Sequence, residues 1–449
     1  MKRNRCPYLA HSTLAIIALL VVVCTGCGNT KKVPSKLELL ADPSITAPGK
    51  PLATSVRVDV CLDATPSMAG FAVDPRSEYL TLLDELEGAV QNRLRDSTVR
   101  YFKFGEAIRQ VSRDEFRSAK GAVFYNEPGI FKQTNIDQVF LREGPRPGPL
   151  AASTLVGRPA STASEAVAIV VTDLFQHDND VNLVVSQIRR NCLELGCSVG
   201  LLPVMSEFDG MVFDARVPSF PYKSTPGNPR TRRPFYLLFF GEQDRIEELV
   251  ELLSARPYID RNRLLLVSPK IVRHYSVAVS KDPTSKDLNL RHAPGAADEF
   301  EFALRRGGTG GVLRVDFQYD PIMASPVVDP TGIQIEVRTG ARGMAGKPTE
   351  ALKLLTATAI GNKVSTTIAL DLPGPPGEYE FQLLFRVGGA GAFTAPSWVS
   401  ELSSDNPTPA DGPAKTLNLK RLVDELIGAS LAVQPPPLAR AFVTVKKLG

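Results

Sequence analysis

The sequence predicts an α/β chain: a doubly wound, mostly parallel sheet followed by a β-sandwich-like C-terminal domain. Three observations carry that expectation. Between Val56 and Ala255, short apolar runs such as VRVDVCL and AVAIVVTD alternate with amphipathic stretches at helical spacing, the pattern of strands covered by helices on both faces. After about residue 270 the runs alternate apolar with polar, as in VLRVDFQY and STTIALDL, between Gly and Pro turns, which marks half-buried strands. The 449 residues, 43% hydrophobic and 22% charged, suffice for two or three domains with separate cores.

At the N-terminus, Lys2, Arg3 and Arg5 precede the apolar run Leu14 to Val23 and the small residues CTGCGN. That order reads as a secretory signal over 1–26, too short to span a membrane comfortably. Its CTGC end resembles a bacterial lipobox, although Cys24 stands where Leu or Val is usual. The resemblance makes Cys27 the lipidated first residue of the mature chain. Gly28 and Asn29 follow it, without the Asp that marks inner-membrane retention, so the expected place is the cell envelope, at the outer membrane if the cell is Gram-negative. Residues 27–54 are polar and Pro-punctuated, a tether with a reach on the order of 30 Å.

The α/β domain is expected over 55–256. VRVDVCL is a buried strand, and SEYLTLLDELEGAVQNRL is a helix with Leu80, Leu83, Leu86, Val90 and Leu94 on one face, capped by Ser77. VRYFKF and AIRQVS form a hairpin across GE. AVAIVVTD, CSVGLLPVM and PFYLLFF are further strands, with helices in DVNLVVSQIRRNCLEL and GEQDRIEELVELLSA. The Pro-rich basic stretch at 215–234 is a loop long enough to demand a use. A β-rich domain follows over 270–400, where PGEYEFQLLF looks like the closing strands of an immunoglobulin- or fibronectin-like domain. The segment 401–449 holds one amphipathic helix, LNLKRLVDELIGASL.

Besides Cys27 the mature chain keeps Cys61, Cys192 and Cys197. Cys192 and Cys197 flank a short LELG turn, a spacing that permits a disulfide in an oxidising compartment. Cys61, inside the first strand, reads as a small buried hydrophobe.

The stretch VDVCLDATPSMAGF ends its strand in Asp63, Thr65 and Ser67, one carboxylate and two hydroxyls at alternate positions. Ligands of open α/β sheets bind beyond the carboxyl ends of the strands, where these three fall. A carboxylate with hydroxyls is a hard-oxygen set, suited to Mg²⁺, Mn²⁺ or Ca²⁺ and not to zinc. Thr134 in FKQTNIDQVF and Asp173 at the end of AIVVTD add two more oxygen ligands.

Together these pieces resemble the von Willebrand factor A (vWA) domain and its metal-ion-dependent adhesion site (MIDAS), over roughly residues 55 to 256. Asp63, Thr65 and Ser67 match the family's Asp-x-Ser-x-Ser loop, Thr134 its second-loop Thr and Asp173 its third-loop Asp. The resemblance implies that Thr65, Ser67 and Thr134 bind one divalent cation directly, Mg²⁺ above the others, while the carboxylates often act through water. An acidic group of a protein partner fills the remaining position. Three features depart from the family: Pro66 and Leu174 stand where Gly is usual, and 141–163 is Pro- and Gly-rich where a helix is usual.

The expected function is therefore partner binding by an envelope lipoprotein that touches the membrane through its lipid alone. Arg230, Arg232 and Arg233 would line the rim for an acidic partner. Net charge of +4, with no clear basic arm or zinc-finger spacing, speaks against nucleic acid. No enzyme is expected, since G-x-S-x-G, H-E-x-x-H and P-loop patterns are missing. Two rivals stay open: a structural envelope-assembly protein with a degenerate, metal-free site, and a metal-dependent hydrolase or phosphatase.

Overall fold

A computed structural model describes residues 56–93, 98–127, 133–140, 165–174, 181–213, 219–268, 272–291, 298–321, 327–328, 332–339, 351–388, 393–405, 414–433 and 437–449. The signal, Cys27, the tether and the segment 141–163 lie outside these residues. Among the described residues no helix is long and apolar enough to cross a membrane.

The chain is mixed α/β, with several sheets. The largest runs in the order β3-β2-β1-β4-β8-β5-β9, formed by β1 (Val56–Asp63), β2 (Thr98–Phe104), β3 (Ile108–Val111), β4 (Glu165–Thr172), β5 (Ser198–Ser206), β8 (Arg233–Gly241) and β9 (Leu265–Val267). A hairpin of β6 (Asp209–Val212) and β7 (Phe220–Lys223) stands outside it. Strands β2, β1 and β4 are parallel neighbours, with Asp63 beside Phe104 and Leu62 beside Val171. Their carboxyl ends therefore lie along one edge.

The sheet is less parallel than expected. β3 runs against β2, and β8 runs against both β4 and β5. The reason lies in the connections. Parallel neighbours need a covering crossover, usually a helix, but β5 leads to β8 through the β6–β7 hairpin and the 3-10 turn Pro229–Thr231, with no α-helix among the described residues between. The chain therefore returns antiparallel and slots in between β4 and β5. The sheet also extends past residue 256, because β9 adds an edge strand to β5.

Alternate residues of each strand serve opposite faces. Phe235, Leu237 and Phe239 of β8 join the core under α2 (Glu78–Arg93) and α5 (Gln243–Leu253). Tyr236, Leu238 and Phe240 join the other core, under α4 (Val181–Asn191) and the 3-10 turn Ile136–Phe140. Each such side chain is buried, a gain of about 1.5–3 kcal/mol apiece. Helix α2 begins as its sequence dictates, with Ser77 Oγ accepting from Leu80 N at 3.2 Å. Three shorter turns, α1 (Pro66–Ala69), α3 (Arg113–Arg117) and α6 (Ser397–Leu402), together with α7 (Leu419–Ala432), complete the α-helices among the described residues.

The C-terminal segment carries a long strand besides its one long helix, and a short helix precedes it. Helices α6 and α7 pack on the second face of the α/β unit through Trp398, Val399, Leu422, Val423 and Leu426, and Tyr236 Oη pairs with Thr416 Oγ1 at 2.8 Å. Beyond α7, strand β22 (Ala439–Lys447) enters the β-rich unit between β12 (Glu299–Leu304) and β18 (Gly377–Val387). That five-stranded sheet, β11-β12-β22-β18-β15, shares one core with the four-stranded sheet β10-β13-β17-β16. The remaining strands are β10 (Val272–Lys281), β11 (Leu288–Arg291), β13 (Gly310–Pro321), β15 (Ile333–Thr339), β16 (Leu352–Ile360) and β17 (Lys363–Asp371), with two-residue ladders of β14 (Val327–Val328) on β19 (Phe393–Thr394) and β20 (Ser403–Ser404) on β21 (Thr416–Leu417).

Candidate functional site

Asp63 is the last residue of β1, at the edge where the parallel strands end. The chain then turns sharply: Thr65 is extended and caps α1, whose first residue is Pro66. At that position the missing N–H of Pro costs nothing, because it has no partner in a helix's first turn. Pro66 is thus accommodated by a helical turn. Gly70 lets this loop lie against the segment after β5, since a Cβ there would stand 2.5 Å from the Phe208 ring.

Four of the five expected residues form one hydrogen-bonded network. Thr65 Oγ1 donates to Asp63 Oδ1 at 2.6 Å and lies 3.1 Å from Ser67 Oγ and 2.9 Å from Thr134 Oγ1. Thr134 Oγ1 also reaches Asp63 Oδ2 at 3.3 Å. Thr134 stands just before the 3-10 turn Ile136–Phe140, on a loop tied to the β2–β3 turn by Asn135 N donating to Gly105 O. Asp173, directly after β4, is buried close enough to Asp63 for the two charges to repel. All five are shielded from water, the most open being Ser67 at 5% exposure.

One residue of the site was missed from sequence. Thr172 Oγ1 donates to Asp63 Oδ2 at 2.8 Å and accepts from Leu174 N at 3.1 Å. Its signal was its place beside Asp173 at a strand end, where a hydroxyl is out of character in an apolar run. Leu174 has φ of 59°, a left-handed backbone that a bulky residue adopts only under constraint.

The electrostatics follow from burial. Removal from water, then the charge of Asp173, pushes the Asp63 carboxyl up to about 7, against the lowering effect of hydrogen bonds from Thr65 and Thr172. Among the described residues no Lys or Arg pairs with Asp63. Two buried acids ringed by hydroxyls form an anionic, hard-oxygen nest, which is the donor set a Mg²⁺-type cation takes. No group of three or more His, Cys, Asp or Glu side chains suited to a metal occurs among the described residues; here the further ligands would be hydroxyls.

Two expectations at the periphery are corrected. Of the three rim arginines only Arg230 is exposed. Arg232 is taken up by Glu78 and Glu207 at 2.7 and 2.8 Å, and Arg233 opens β8, buried, with its guanidinium 5.5 Å from the Phe208 ring centre. Cys192 and Cys197 flank their turn as free thiols, with Cys192 Sγ donating to Ser198 O at 3.4 Å. Cys61 is a free, buried thiol, as expected of a small core residue. Beside the site, a cleft of about 450 Å³ opens between Val73–Arg76 and the hairpin residues Asp209 and Lys223.

No family model and no curated protein matches the chain. Among solved structures, a GspB Siglec domain is similar at 10% identity over 38% of this chain, with a TM-score of 0.17. The match covers 58% of that domain's length and is too low to bear on the fold or the site.

Proposed function

We propose that this chain is an exported, lipid-anchored envelope protein that binds an acidic protein partner through a divalent cation held at Asp63, Thr65, Ser67, Thr134 and Asp173. The fold assignment behind this reading is a vWA-like α/β unit joined to a β-sandwich. The observation that carries it is the nest itself: two buried carboxylates brought together with three hydroxyls where the parallel strands end, and no basic side chain on Asp63 among the described residues. Two buried like charges are unfavourable, and a cation would relieve their repulsion. When bound, Mg²⁺ would offer an open position to a carboxylate from outside. The residues themselves do the rest. The turn at Pro66 aims Thr65 and Ser67 inward, Thr172 orients the Asp63 carboxylate, and the neighbouring cleft, with Arg76 and Lys223 on its rim, would receive the partner's flanking residues.

The test is thermal unfolding of the chain with EDTA, Mg²⁺, Mn²⁺ or Ca²⁺, for wild type and Asp63→Ala. At a hundred times its Kd an ion adds about 2.7 kcal/mol, visible as a raised midpoint in wild type and lost in the mutant. No shift with any ion would favour the second reading, which the closed hydroxyl network around Thr65 also supports. There the site is a metal-free hydrogen-bonded plug in a structural envelope protein, and partner binding belongs to other surfaces.

A further inference from the structure

The same edge of the α/β unit holds a second pair of acids. Glu78 opens α2, Glu207 follows β5, and Arg232 closes the 3-10 turn Pro229–Thr231. Arg232 Nη2 lies 2.7 Å from Glu78 Oε1 and 2.8 Å from Glu207 Oε1, and the two acid side chains are only 13% and 16% exposed. Glu78 Oε2 and Glu207 Oε2 are both shut from water and have no hydrogen-bond partner among the described residues. Two acids that share one guanidinium, each with an oxygen that meets neither water nor a donor, favour the state in which one of them keeps a proton.

We propose that Glu78, Glu207 and Arg232 form a one-proton clamp that fastens the rim turn Pro229–Arg232 to the start of α2 and the end of β5. With one proton the trio is neutral. Losing it sets two carboxylates against one guanidinium in a place with little water. Gaining a second proton leaves Arg232 without a carboxylate. The clamp stands whether or not the nest around Asp63 holds an ion.

The titration supports this geometry. Burial, then the neighbouring Glu207 carboxyl, pushes Glu78 up to about 7. Burial pushes Glu207 up as well, but Glu78 and Arg232 outweigh it and hold that group below the usual range. The other groups facing the pair are Arg76 on the β1 loop and Tyr258 after α5. Glu78's share of the stability is complete below the ordinary Glu value and is lost as pH rises through about 7. Glu207's share is complete above the ordinary value and is lost as pH falls below it. The clamp is therefore tightest at about pH 5 to 6.

Hydrogen exchange of residues 225–232 in the full chain, corrected for intrinsic rates between pH 5.5 and 8.5, tests it, paired with urea midpoints. Wild type should lose about tenfold in protection across that range. Glu78→Gln and Glu207→Gln each leave one acid for Arg232 and should hold protection constant. Because Asp63 titrates equally in all three proteins, the differences isolate the clamp. A wild-type turn indifferent to pH, or a loss that persists in both variants, overturns the proposal; should Glu78→Gln fail to fold, Glu207→Gln decides alone.

Discussion

Strand β1 carries two buried aspartates on the same face, four residues apart, and treats them in opposite ways. Asp59, fully buried, is held by Arg100 through two bonds of 2.7 Å and by Arg57 at 3.3 Å. Asp63, equally buried, has hydroxyls, a backbone N–H and a second acid. Period-two alternation puts both side chains on one side of the sheet; what differs is the neighbours. Mid-strand, the adjacent strand β2 supplies an arginine directly across. At the strand's carboxyl end three loops converge instead, and the side chains they bring to Asp63 are hydroxyls and a second acid. A buried charge compensated within the chain is architecture. One left with its repulsion is, on the function proposed above, kept for a cation from outside.

The largest expected effect falls on the compensated end. Asp59→Asn takes the bidentate partner from Arg100 and should cost about 3–5 kcal/mol in urea unfolding, at every pH from 5 to 8 and with or without Mg²⁺. Because the arginines are 29% and 20% exposed, a cost under about 1 kcal/mol would mean that they reach water unaided. The contrast between the two aspartates would then collapse.

The opposite sign is expected four residues on. In EDTA, the Asp63 carboxyl holds its proton up to about pH 7. Its contribution to stability is therefore complete below the ordinary Asp value and is lost as pH rises through 7. Asp63→Asn removes that loss, so the variant should match wild type near pH 4 and exceed it at pH 8 by on the order of 3 kcal/mol. Adding Mg²⁺ should reverse the order, because only the wild type can take the ion. An Asn variant less stable than wild type at pH 8 in EDTA would show that Asp63 is already satisfied.

The sequence made this site unusually readable, and for a physical reason. Strand ends are marked by a change from apolar to polar residues, so Asp63 and Asp173 announced themselves, and the alternate hydroxyls of Thr65 and Ser67 could be seen to share a direction. The sequence was silent where placement depends on distant chain. Nothing in PFYLLFF says that β8 enters antiparallel between β4 and β5, since that follows from a return without a helix. Nothing in the last residues says that β22 completes the β-rich sheet after α7 has covered the α/β unit. Arg232 and Arg233 looked like rim charges because charge on a Pro-rich loop is usually solvated; their partners Glu78, Glu207 and Phe208 come from elsewhere in the chain.

The smallest effect probes the backbone at the same end of the sheet. Leu174 is buried yet left-handed, a conformation costing a side-chain-bearing residue about 1–2 kcal/mol that glycine escapes. Truncation to Ala or Gly loses the same packing to within a methyl group, so the pair isolates the strain. Leu174→Gly should be more stable than Leu174→Ala by about 1 kcal/mol, the reverse of the usual order within regular structure. Equal stabilities would mean that the turn after Asp173 relaxes freely, and that the site is not held under tension. If the expected order is found, Mg²⁺ titrations of the two variants say what the strain is for. Weaker binding by the relaxed Gly variant than by the Ala variant would tie the left-handed turn to the aim of Asp173, whereas equal binding would make it a consequence of packing Leu174 beneath the helices of the second face.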